Sequence, residues 1–164
     1  MPKITLPDGS ERQYAAAVSG AEIAMSIGKS LARDAVAVRI DGELMDLTRT
    51  IERDANVEIL TRDSDAGLEL LRHDAAHVLA EAVKELWPDT QVTIGPAIDN
   101  GFYYDFARDE AFTDADLETI ESRMKEIVDR DEIIEREVWE RDKAVEFFRG
   151  IGEEYKAEII EGIP

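Results

Sequence analysis

At 164 residues the chain has room for one ordinary domain or two small ones, and its 44% hydrophobic residues suffice for a buried core. It contains no cysteine, which excludes a disulfide framework and thiolate metal sites, and no apolar run approaches membrane-spanning length. The net charge of −19 is unevenly placed: residues 1–62 carry eight Lys/Arg against ten Asp/Glu, residues 63–164 eleven against twenty-eight. That acidity argues against a broad phosphate-binding face, so any contact with nucleic acid has to be local or lie in parts not present. With no apolar leader at the N-terminus, a cytoplasmic location and no membrane partner are expected.

In chain order, Ile4 and Leu6 alternate inward before the turn Pro7-Asp8-Gly9-Ser10, and 12–16 can return as a second strand. Ser19 followed by Glu22 matches a capping box, and Ile23, Ile27 and Leu31 continue at helical spacing. The β-branched run 35–40 ends at Asp41-Gly42, a strong hairpin signal with 44–47 as its partner, and 56–61 alternates as a last strand. Hairpin, helix, hairpin and strand within about 60 residues suggest one helix laid across a mixed sheet. That order is the β-grasp arrangement, and with the PDGS and DG turns it resembles the TGS domain of threonyl-tRNA synthetases and some regulatory GTPases.

Asp63-Ser64-Asp65 marks a boundary, so the expected organisation is 1–62 and 63–164, the latter opening with a helix capped by Ser64 or Asp65 and running to about Leu86. At about 100° per residue, Leu68, Leu71, Ala75, Val78, Leu79, Ala82 and Leu86 fall on one stripe. His73 and His77 fall nearly opposite it, beside Ala66, Ala76 and Ala80, on a face expected to be open. Short strands are expected at 91–94 and 102–106, the latter with Phe102, Tyr104 and Phe106 on one side. A helix over 113–130, a strand over 133–139 and a helix over 140–150 follow; 153–160 reads equally as helix or strand.

Histidines at i and i+4 can share a metal ion from one helix face. A catalytic zinc generally takes three protein ligands, however, and the chain has only these two histidines. HDAAH lacks the Glu of HExxH, and HD-type phosphohydrolases need further histidines, so no metal site is expected. Surface histidines without chemistry remain an open reading of the residues alone.

The stretch RHDAAHVLAEAVKELWP, then IGPAIDNGFYYDF, resembles the start of the editing domain of bacterial threonyl-tRNA synthetases. Together with the TGS-like region upstream and Gly152-Glu153-Glu154-Tyr155-Lys156 downstream, the resemblance covers essentially the whole chain. It implies an α+β fold, a β-grasp domain followed by a truncated α+β editing domain with antiparallel sheet. It also implies an enzyme that charges threonine tRNA using ATP as a homodimer, with a region that hydrolyses mischarged seryl-tRNA. His73 and His77 match the family's first histidine pair, expected to be catalytic; Tyr104 and Lys156 match positions expected to hold substrate, the tRNA acceptor end. No cofactor is expected within these residues. The family's ATP, Mg²⁺ and Zn²⁺ sites, and its C-x-x-x-H motif, are expected beyond Pro164, so the isolated chain is expected to be inactive. A stand-alone TGS-type binding module without catalysis is the alternative; a free-standing trans-editing hydrolase fits less well, since it also needs the Cys/His motif.

Overall fold

The computed structural model describes residues 1–163, in two compact units, Met1–Leu71 and Arg72–Pro164. In the first, β1 (Lys3–Thr5) and β2 (Glu11–Gln13) form the opening hairpin around the turn held by Asp8, whose carboxylate accepts from Ser10 N and Oγ. β3 (Val18–Ser19) leads into α1 (Gly20–Ile27), where Ser19 and Glu22 cap each other reciprocally as the capping box predicts. The expected single stripe to Leu31 does not hold. Gly28 is extended, so the helix breaks there and a short α2 (Lys29–Asp34) follows; Ile23 is fully buried while Ile27 is exposed.

β4 (Ala35–Ile40) turns at Asp41 and Gly42, whose φ values of 50° and 91° are those of a type I′ hairpin, into β5 (Glu43–Met45). β6 (Thr50–Ile51) pairs with β3, and β7 (Ala55–Thr61) closes the main sheet. The strand order is β2-β1-β7-β4-β5, with β1 and β7 parallel and the other pairs antiparallel: the β-grasp topology expected from the sequence. Its core gathers Ile4, Val18, Ile23, Val38, Ile40, Ile51 and Val57.

α3 (Asp65–Leu86) crosses from the first unit into the second, and Ser64 Oγ accepts from Gly67 N at its start. The expected burial of this helix is wrong in detail. Leu68 and Leu71, on the predicted stripe, are 44% and 41% exposed; Ala82 on it is fully buried, and so are Ala76 and Val83 off it. The C-terminal part of the predicted stripe, Val78, Leu79, Ala82 and Leu86, does pack into the core of the second unit, joined there by Val83.

In the second unit β8 (Gln91–Val92) pairs with β11 (Phe106–Ala107), and β9 (Ala97–Ile98) with β10 (Gly101–Phe102). The single strand expected over 102–106 is thus broken at 103–105 into pieces in two separate ladders. α4 (Asp114–Asp129) carries the expected capping box of Thr113 and Asp116, and sets Ile120 and Ile127 against Ala82 and Val83. Arg130 grips Glu85 through two hydrogen bonds of 2.6 and 2.8 Å, reinforcing that packing. The strand expected over 133–139 is not formed. Those residues are exposed and irregular, Ile133 and Ile134 to 89% and 93%, because an alternating pattern gives a strand only where a neighbour satisfies its backbone. α5 (Arg141–Gly150) follows as expected, and α6 (Glu154–Glu161) resolves the ambiguous segment as helix.

Candidate functional site

His73 and His77 lie one turn apart on α3, and their Nε2 atoms are 3.0 Å apart with the rings edge to face. At that contact one nitrogen donates and the other accepts, so the pair cannot keep its contact with both rings fully protonated. The His77 pKa is held below its ordinary 6.5, first by partial desolvation of the ring and then by the charges of His73 and Lys156, with Asp74 opposing. His77 therefore stays neutral at a pH where a free imidazole begins to charge, though as a weaker base.

Lys156 sits on the first turns of α6, which packs on β8. Its Nζ donates to Thr93 O at 2.9 Å and to Tyr104 Oη at 3.2 Å. An ammonium has three donors, so one is left for a ligand. The Tyr104 ring stacks on Phe106 and lies against Gly95 so closely that a Cβ there would fall 2.0 Å from Tyr104 Cδ2. Asp105 exchanges backbone hydrogen bonds with Thr93 and Ile94, extending the β8–β11 ladder by the step that brings Tyr104 over the glycine.

Contacts join the four residues singled out in the sequence as two pairs, His73 with His77 and Lys156 with Tyr104, and the charge of Lys156 is among the influences that lower the His77 pKa. Both histidines are exposed, and Ala76 and Ala80 beside them are buried, so the pair projects from a floor of small side chains as expected.

The donors around the pair are few. The two Nε2 atoms face each other, and among the described residues no group of three His, Cys, Asp or Glu side chains converges. Sequence reasoning missed Thr93, Gly95, Lys84 and Glu153. Gly95-Pro96 carried a signal, but it was read only as the end of a strand. Lys84 and Glu153 stand within the stretches that carry the resemblance, but nothing in the sequence pairs two charges so far apart.

Residues 2–61 match the TGS domain model. Over all 164 residues the chain is 63% identical to a threonine--tRNA ligase of Parvibaculum lavamentivorans, of which it covers 25%. It is 59% identical over the same length to that of Granulibacter bethesdensis and 62% over 165 aligned residues to that of Paramagnetospirillum magneticum, covering 26% of each. The chain spans about a quarter of the length of these curated relatives. No helix among the described residues is long and apolar enough to cross a membrane. Residues 2–61 are thus similar to the TGS domain, and the chain throughout its length to the N-terminal quarter of bacterial threonine--tRNA ligases.

Proposed function

We propose that this chain serves a threonine--tRNA ligase as its TGS domain and as part of a proofreading site that hydrolyses seryl-tRNA. Its partner is then the acceptor end of threonine tRNA, and the ligase works as a cytoplasmic homodimer. The ATP, Mg²⁺ and Zn²⁺ chemistry belongs to the remaining three quarters of such a ligase. Serine differs from threonine by one methyl, and a methylene in a pocket is worth only about 1–3 kcal/mol of discrimination. A second, hydrolytic sieve is therefore a physical need of any enzyme that charges threonine.

The observation that carries the reading is the set of a neutral-held histidine, a lysine with a spare donor and a tyrosine hydroxyl. Hydrolysis adds water to the ester carbonyl, breaks the acyl carbon–oxygen bond and returns a proton to the ribose hydroxyl. His77, kept neutral, can take the proton from the attacking water, and His73 can hold its ring in the right tautomer through the 3.0 Å contact. Lys156 can stabilise charge growing on the carbonyl oxygen or grip the RNA end, and Tyr104 holds Lys156 in place.

The test uses the Parvibaculum lavamentivorans ligase with this chain in place of its N-terminal quarter. His73→Ala and His77→Ala should each slow seryl-tRNA hydrolysis by about 100-fold or more while threonine attachment is unchanged. Hydrolysis unaffected by both substitutions would refute the proofreading reading and leave the TGS-type binding module.

A further inference from the structure

Among the described residues, one charged pair of the second unit has a nearly buried carboxylate and is not used by the site as described. Lys84, on α3 two turns beyond His77, and Glu153, the residue before α6, are 2.6 Å apart, the Glu153 side chain only 7% exposed. Lys84 spends its other donors on Pro88 O at 2.7 Å and Thr90 O at 3.1 Å. One ammonium thus joins the end of the histidine helix, the approach to β8 and the start of the lysine helix.

The backbone aims Glu153 inward. Gly152 has a φ of 80°, the left-handed conformation that favours glycine, and Glu153 N closes the turn on Phe148 O at 2.8 Å. Lys156 follows Glu153 by three residues, nearly one turn, so the position of the carboxylate sets where the ammonium emerges. Thr93, whose carbonyl Lys156 meets, follows Thr90, whose carbonyl Lys84 holds, by the same three residues.

Stability alone does not explain the pair. Glu153 Oε2 is buried with no hydrogen-bond partner among the described residues, an arrangement that costs free energy. A buried ion pair is commonly no better than an apolar pair of similar volume, and its best-attested use is to fix register.

We infer that Lys84 and Glu153 are positioning residues, a clamp with a buried carboxylate that fixes Lys156 against Thr93 and Tyr104. Its consequence for hydrolysis rests on the proofreading reading above; its geometric content does not.

The first experiment needs no activity. Lysines of the 164-residue chain are labelled with an amine-acylating reagent and quantified by mass spectrometry. Removing the clamp with Glu153→Ala should speed acylation of Lys156 by about fivefold, as expected for local loosening, and leave the exposed Lys125 and Lys143 unchanged. No acceleration at Lys156, or equal acceleration at all three, would overturn the clamp. Glu153→Gln, which keeps volume and an acceptor, is read in the same way if Glu153→Ala does not fold.

The second experiment measures seryl-tRNA hydrolysis in the hybrid ligase. Glu153→Ala should lower kcat by about 10- to 100-fold through misplacement of Lys156, and cost nothing further in a Lys156→Ala background. Losses that multiply would show Glu153 acting independently of Lys156 and overturn the inference. If labelling changes as expected but hydrolysis is untouched by Glu153→Ala and Lys156→Ala alike, the clamp stands and the proofreading reading falls.

Discussion

The two units hold themselves together by different means. The first buries Ile4, Ile23, Val38, Val57 and their neighbours between one helix and a five-stranded sheet. The second has a thin apolar cluster, Ala82, Val83, Ile120 and Ile127 with half-buried aromatics around it, and ladders only two residues long. It relies on polar ties: Arg130 and Arg123 on Glu85, Lys84 on Glu153, Lys156 on Thr93 and Tyr104. An apolar core is non-directional and tolerant, while polar ties fix positions. The unit that carries the candidate site is built the second way.

If the first unit depends on its core, Ile23→Ala should destabilise it by about 2–5 kcal/mol, read as lost amide-exchange protection in β4 and β7. A cost below about 1 kcal/mol would mean that the sheet does not depend on α1. In the second unit the corresponding weak point is a glycine. Gly95→Ala drives a methyl into the Tyr104 ring and should cost about 1–3 kcal/mol in urea unfolding followed by tryptophan fluorescence. An unchanged midpoint would show that the ring moves away freely.

The helix caps should behave alike in both units, since capping is local. Ser19→Ala and Thr113→Ala should each cost about 1 kcal/mol in thermal unfolding, and a several-fold difference between them would tie one cap to tertiary packing. For His77 the sign follows from its lowered pKa. The unfolded chain binds the proton more tightly, so His77 adds no penalty above the ordinary value of 6.5, and stability falls as pH drops below it toward the depressed folded value. Its NMR titration midpoint should lie below 6.5 and move upward in Lys156→Met; no movement would show that the lysine charge does not reach the ring. The smallest effect is expected at the exposed 133–139 stretch, where Ile134→Ser should change stability by no more than about 0.5 kcal/mol. A loss above about 1 kcal/mol would reveal pairing of that segment.

The sequence by itself determined the β-grasp unit, the capping boxes at Ser19 and Thr113, the Asp41-Gly42 hairpin and the pairing of His73 with His77 one turn apart. Each depends on residues close in the chain, where spacing and turn chemistry act directly. Gly28 is the exception, since an apolar stripe ran through it and only the formed backbone shows the break. Tertiary structure alone decided that Leu68 and Leu71 of the α3 stripe stay exposed while Ala76 and Val83 off it are buried, because burial depends on which elements pack at each turn. It also decided that 133–139 pairs with nothing among the described residues, since alternation predicts a strand but cannot supply its partner. Above all it brought Lys156 to Thr93 and Tyr104, and Glu153 to Lys84, across 52 to 69 residues of chain. Such contacts leave no periodic trace, because a single charge finds its partner only after the helices around it have packed.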